Sequence, residues 1–189
     1  MVLVALFRVE NDSMTNQFIH PDLITKVINN DRSAQFQLFE LTKGMLFSTC
    51  FRILNDEEKA NDALQDAYVE VFQKIRTLKH PEAILVWMKT ITVRKAIHAS
   101  KNRIQFQEIG EAALSVSEKF DSWFDAELLD QAIQSLPDGA RAVFTLIEIE
   151  GYTHKECGEM LGISGNTSKS QLNYSKTLLK RRITKLLQA

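Results

Sequence analysis

The chain has 189 residues, of which 44% are hydrophobic and 25% charged, and its formal net charge is −1. That is the balance of a folded, soluble protein with room for one domain or two small ones, and 7 Gly with 3 Pro argue against a turn-rich all-β fold. A near-neutral sum is low for a protein that binds DNA unaided, so either the basic patches are local or a partner supplies much of the affinity. Cys50 and Cys157 stand alone in apolar helical patterns. They suggest core positions, a reducing cytoplasm and neither a disulfide framework nor a metal knuckle.

Residues 1–21 read as a flexible lead. Met1 to Val9, MVLVALFRV, is far too short to span a bilayer and lacks the charged and small-residue ends of a signal peptide. Met14 would also serve as a start, and no other segment could insert in a membrane. Helices are predicted over Asp22 to Asn29 and Ser33 to Leu54. In the second, Phe36, Phe39, Leu46, Phe47, Cys50 and Ile53 recur at the period of one buried stripe. Asn55-Asp56 interrupts the pattern and caps a helix from Glu57 to about Leu78. Its apolar face is Ala60, Ala63, Leu64, Ala67, Tyr68, Val71, Phe72 and Ile75, and its other face carries Glu58, Asp62, Asp66 and Glu70 beside Gln65. Carboxylates four residues apart oppose helix formation by roughly 0.2–0.5 kcal/mol per pair. Such a stripe is either an ordinary solvated face or a dock for a basic partner; with no histidine near, a metal site fits less well.

Lys79-His80-Pro81-Glu82 is a connector, because the residue before proline is pushed out of the helical region. A helix over Ala83 to Asn102 would put Ile84, Trp87, Ile91 and Ile97 on its core side. From Met88 to Gln107 there are five bases (Lys89, Arg94, Lys95, Lys101, Arg103) and no acid, and His98 adds a donor. An acidic helix followed by a basic one suggests two surfaces for two partners. Residues 104–126 read as a linker with an apolar anchor in Phe120, Trp123 and Phe124. Beyond it, Leu129, Ala132, Ile133 and Leu136 form an apolar helix, Pro137-Asp138 starts another, and Val143, Leu146, Ile147 and Ile149 supply core.

Gly151 to Lys180 reads as two helices joined by a tight turn. Thr153 and Glu156 form a T-x-x-E capping box. Gly162 ends the first helix in the left-handed region, Ile163 follows as a buried plug, and Ser164 caps the second helix. That is a helix-turn-helix, whose second helix enters the DNA major groove. Leu172, Leu178, Leu179, Ile183 and Leu186 continue the core side. From Gly165 to Ala189 there are six bases and no acid, whereas Glu127 to Met160 holds seven acids against Arg141 and Lys155. A basic final segment suits an approach to phosphates. The fold expected is therefore all-α: two small helical domains, 22–103 and 127–189, joined by the linker, the second a helix-turn-helix.

Two segments in the right order resemble bacterial RNA polymerase sigma factors of the extracytoplasmic-function (ECF) group, over about Ala34 to Leu187. Asp62-Ala63-Leu64-Gln65-Asp66-Ala67-Tyr68 resembles the D-x-x-Q-[DE]-x-[FY] helix of sigma region 2, and Trp87-Met88 with Ile91 resembles the W-L-x-x-I helix after it. Leu136-Pro137, Glu150-Gly151-Tyr152-Thr153, Leu161-Gly162-Ile163-Ser164 and Lys169-Ser170 resemble region 4. The resemblance implies a subunit that binds core RNA polymerase and directs initiation at −10 and −35 promoter elements. Asp62, Gln65 and Asp66 would dock on the β′ clamp, with the β subunit as a further partner. Lys89, Arg94, Lys95 and His98 would face the −10 element. Asn166, Thr167, Lys169, Ser170 and Asn173 would face the −35 element, with Gln171 and Lys176 on phosphates. An anti-sigma factor is also implied. Departures from the family pattern are Arg94 for a usual Asn, Thr90 for Arg, Tyr174 and Thr177 for two arginines, and Ser168, Cys157 and Gly158 for more usual core residues.

The alternative is a stand-alone helix-turn-helix regulator, which would not need the acidic helix and would usually dimerise on a palindrome. An enzyme ranks last. There is no Gly-rich phosphate loop, metal-ligand spacing or nucleophile–base pair, and His20, His80, His98 and His154 are scattered. No catalytic residue, metal or cofactor is expected.

Overall fold

The computed structural model describes residues 19–100, 104, 106 and 126–187. Most of the expected lead and linker, including Phe120, Trp123 and Phe124, lies outside these residues, as do Lys101 and Arg103. The described residues are helical, without a strand, and the chain divides near Ser100 into two compact units.

In the first unit, α1 (Pro21–Ile28) begins with proline at its first position and His20 Nδ1 accepting from the Asp22 N–H at 3.4 Å. It buries Leu23, Ile24 and Val27. Asp31 caps α2 (Arg32–Leu54) by accepting from the Ala34 N–H at 2.9 Å. Asn55 closes α2 at φ 49°, in the left-handed region that asparagine tolerates better than most residues. The buried stripe of α2 differs from the one expected. It runs Ala34, Leu38, Thr42, Leu46, Cys50 and Ile53; Phe36 is 65% exposed, and Phe39 and Phe47 are only half-buried. The reason is Thr42. Its hydroxyl donates to the Leu38 carbonyl at 2.7 Å and shares a 2.6 Å hydrogen bond with the Tyr68 hydroxyl, so a polar residue sits at the centre of the stripe with its bonds made.

Asp56 caps α3 (Glu57–Lys74), whose Ala60, Ala63, Leu64, Ala67, Tyr68 and Val71 are buried. The helix packs on both α2 and α4. The expected run to Leu78 ends instead in a 3₁₀ turn, Ile75–Thr77, and a second 3₁₀ turn, Pro81–Ala83, leads into α4 (Ile84–Ser100). Because α4 packs on both α2 and α3, its buried surface is wide: Ile84, Leu85, Met88, Ile91, Val93, Ala96 and Ile97 are all inside, while Trp87, expected in the core, is half-buried.

In the second unit, α5 (Ala126–Gln134) buries Leu129, Ala132 and Ile133, and Leu136 follows them inward. Helix α6 (Asp138–Phe144) carries Arg141, only 2% exposed, which donates to the Leu136 carbonyl at 2.7 Å and pairs with Asp138. The chain then widens into a π-helical turn, Thr145–Ile149, that buries Leu146 but leaves Ile147 and Ile149 half-buried, not the core positions expected. Helices α7 (His154–Leu161) and α8 (Gly165–Leu187) complete the unit, with α8 packed on α5, α6 and α7.

Candidate nucleic-acid interface

The turn between α7 and α8 is built from local bonds. The Glu156 carboxylate accepts from the Thr153 N–H at 2.8 Å, and the Thr153 hydroxyl accepts from the Glu156 N–H at 3.2 Å. The Thr153 backbone bond, and then its hydroxyl, hold the Glu156 carboxyl below its ordinary pKa. Gly162 ends α7 at φ 70°, with its N–H on the Gly158 carbonyl. The Ile163 N–H bonds the same carbonyl at 3.0 Å. A Cβ on Gly158 would lie 2.7 Å from the Ile163 carbonyl oxygen, so only glycine lets the turn fold back this closely. Ile163, expected as a buried plug, is half-buried. The Ser164 hydroxyl accepts from the Thr167 N–H at 2.9 Å and so caps α8.

On α8, Asn166, Lys169, Asn173 and Lys176 are exposed at steps of three and four, forming one face. Thr167 and Ser170 flank that face, half-buried. The Thr167 hydroxyl is engaged by Ser164 at 2.8 Å, and the Ser170 hydroxyl donates to the Thr167 carbonyl at 3.0 Å. Gln171 corrects the expectation of a phosphate contact. It lies on the opposite side of α8, is 2% exposed, and cannot reach a ligand approaching the Lys169 face. Ser168, fully buried, bonds His154 Nδ1 at 2.9 Å and the Cys157 thiol, tying α7 to α8; burial raises the Cys157 pKa. Between the start of α7 and the start of α8 lies an open concavity of about 710 Å³ bounded by His154, Gly158, Asn166 and Lys169.

In the first unit, Asp62, Gln65 and Asp66 are exposed on one face of α3, with Glu58 at one end and Val69, 56% exposed, at the other. Glu70 is different. Lys74 at 2.7 Å and Lys95 at 2.9 Å both bond its carboxylate and pull its pKa down to about 2; Glu70 in turn raises that of Lys95. The acidic helix and the basic helix are therefore not wholly separate surfaces: they meet at Glu70–Lys95. On α4, Arg94 and His98 are exposed and Lys89 is half-buried. Among the described residues no group of three His, Cys, Asp or Glu side chains converges as a metal site would require, and no helix is long and apolar enough to cross a membrane.

Two family profiles match this chain in order: "Sigma-70 region 2" over residues 38–103 and "Sigma-70, region 4" over residues 126–179. Together they span both helical units. The chain belongs to the extracytoplasmic-function group of the sigma-70 family. It is a promoter-recognising sigma factor, and the region 2 match sets aside the reading as a stand-alone regulator. One relative is the ECF RNA polymerase sigma factor SigW of Bacillus subtilis, 22% identical over 179 residues, which are 86% of this chain and 96% of that one. Another is the ECF RNA polymerase sigma factor SigM of Mycobacterium tuberculosis, 24% identical over 161 residues, 85% of this chain and 82% of that one. The solved structure of CnrH in complex with the cytosolic domain of CnrY shares the fold, with a TM-score of 0.50 and 18% identity over 85% of this chain and 94% of CnrH. In this sigma factor α2 from Leu38, α3 and α4 fall in region 2, and α5, α6, α7 and most of α8 fall in region 4.

The pairing of Glu70 with Lys95 and the burial of Gln171 are the features sequence reasoning missed. The Glu70–Lys74 half of the cluster was visible as an i,i+4 pair. The contact to Lys95, 25 residues away along the chain, required the packing of α3 on α4.

Proposed function

We propose that the protein docks on core RNA polymerase through Asp62, Gln65 and Asp66, and reads promoters with α4 and α8, without catalysis of its own. The observation that carries this is the sorting of exposed charge. The α3 face is acidic and unburied, whereas the exposed face of α8 holds lysines and asparagines and no acid. Membership of the family supplies a partner for each. The carboxylates suit the basic surface of the β′ clamp, with the β subunit completing the contact, and the amide and ammonium groups suit base edges and phosphates. On the −10 side the exposed Arg94 and His98, with Lys89, form the backbone clamp, and Lys95 joins it once released from Glu70. On the −35 side Asn166, Lys169 and Asn173 face the groove, Thr167 and Ser170 flank it, and Lys176 lies at its margin.

The domains follow as 22–103 and 127–189, with 104–126 between them. CnrH is described in complex with CnrY, which supports an anti-sigma partner for this chain as well, and its place of action is the cytoplasm, where core polymerase is. The test is transcription from a genomic library by purified core enzyme with and without this protein. New, promoter-specific start sites are expected; an unchanged transcript set would overturn the proposal.

A further inference from the structure

Two lysines on the DNA-facing helices are already occupied. Lys176 Nζ lies 2.8 Å from Glu148 Oε1, and Lys95 Nζ lies 2.9 Å from Glu70 Oε2. Side-chain exposures are 16% against 46% for Glu148–Lys176 and 26% against 31% for Glu70–Lys95. Glu148 is thus the fixed end of its pair and Lys176 the swinging end, whereas Glu70 and Lys95 are about equally enclosed. Glu148 is held in the π-helical turn, whose backbone is tied by the Glu150 N–H to Thr145 and the Tyr152 N–H to Leu146, both at 2.9 Å. Glu70 is held by Lys74 as well. Arg94 and Lys169, on the same two helices, are exposed.

A carboxylate oxygen accepts the same charge-assisted hydrogen bonds from an ammonium group as a phosphate oxygen does. We propose that Glu148 and Glu70 act as internal phosphate mimics: they hold Lys176 and Lys95 in the free protein and set how strongly it binds duplex DNA. Partly exposed pairs of this kind are weak enough to exchange. When a DNA phosphate takes the lysine, the carboxylate is left unpaired beside a polyanion, so the exchange yields little while the protein is free. Held against a promoter by polymerase, the same lysines meet phosphate at high local concentration. The proposal rests on α8 and α4 being the DNA-facing helices.

The test uses the full chain without polymerase and a labelled duplex of mixed sequence, titrated between about 50 and 200 mM salt. Glu148→Gln keeps the shape of the side chain and removes its charge. It should bind about threefold to tenfold more tightly at the lowest salt, with a log–log salt slope steeper by about 0.9, the value for one added phosphate contact. The Glu148→Gln gain should vanish when Glu148→Gln is made in a Lys176→Ala background and measured against Lys176→Ala alone. Glu70→Gln, in the other unit, provides an independent arm, run in a Lys74→Ala background so that only Lys95 is released; its gain should require Lys95. No gain, a loss, or a gain that survives removal of the lysine would overturn the proposal. Lys169→Ala separates it from the reading beneath it: weaker binding with no effect of Glu148→Gln sinks the mimicry alone, whereas unchanged binding sinks α8 as the DNA-facing helix.

Discussion

Gly158 and Gly162 are both glycines of the turn, for different reasons. Gly162 needs its φ of 70° and has open space where a Cβ would go. Gly158 has an ordinary helical backbone but no space, because the Ile163 carbonyl sits 2.7 Å from the site of its Cβ. This accounts for a departure from the family pattern that the sequence alone left without cause. Alanine at Gly162 should cost about 1–2 kcal/mol, the strain of a left-handed residue. Alanine at Gly158 would gain about 1 kcal/mol of helix propensity. Overpacking against a backbone atom costs about 1–3 kcal/mol, so the clash wins. Urea denaturation should therefore show Gly158→Ala as net destabilising, and DNA binding should fall with it because the turn that aims α8 is pushed open. A Gly158→Ala protein as stable as wild type would show that α7 can shift to absorb the methyl.

At the scale of the element, helix positions were legible and helix faces less so. The capping box, the Gly162 stop and the Ser164 cap stand where their residue chemistry places them, because each is satisfied within four residues of chain. The stripe of α2 was misjudged because counting apolar residues passes over Thr42, whose hydroxyl is satisfied only once Tyr68 arrives from α3. The burial also pushes the Tyr68 pKa up to about 12. Two substitutions test the corrected register. Leu38→Ala should cost about 2–5 kcal/mol, the usual range for a fully buried leucine. Phe36→Ala should stay within about 0.5 kcal/mol, as exposed positions do. Equal losses in thermal or urea unfolding would restore the stripe expected from the sequence. The α3–α4 contact is testable by pH. The Glu70 carboxyl has a folded pKa near 2, against an ordinary value of 4.5. Its contribution is therefore present above the unfolded pKa and is lost as pH falls from about 4.5 toward about 2. Glu70→Gln should be less stable than wild type at neutral pH, and the two should converge across that window. A gap that persists to the bottom of it would mean that the charge of Glu70 is not what joins the helices.

For the whole molecule the decisive quantity is where the charges lie, not their sum of −1. Glu58, Asp62 and Asp66 are exposed at intervals of four on α3. Each such pair opposes the helix by roughly 0.2–0.5 kcal/mol, so their arrangement is not one that folding favours. The proposed docking of this face on a partner of opposite sign would account for that cost. Reversing Asp62 and Asp66 to lysine separates the two roles. Exposed substitutions of this kind change stability by about 0.5 kcal/mol or less, and here the change should be slightly favourable: the pairs with Glu58 and Glu70 become attractive, while positions 62 and 66 remain like-charged. Binding should respond in the opposite sense, since two attractive contacts become two repulsive ones against a basic surface, and like-charge juxtaposition at an interface costs several kcal/mol. The double variant should melt at or just above the wild-type temperature yet fail to co-purify with core polymerase. Its binding to bare duplex DNA should be no weaker, because α8 is untouched and two negative charges are gone. Co-purification at the wild-type level would remove the α3 stripe from the polymerase contact and leave its carboxylates as an ordinary solvated face.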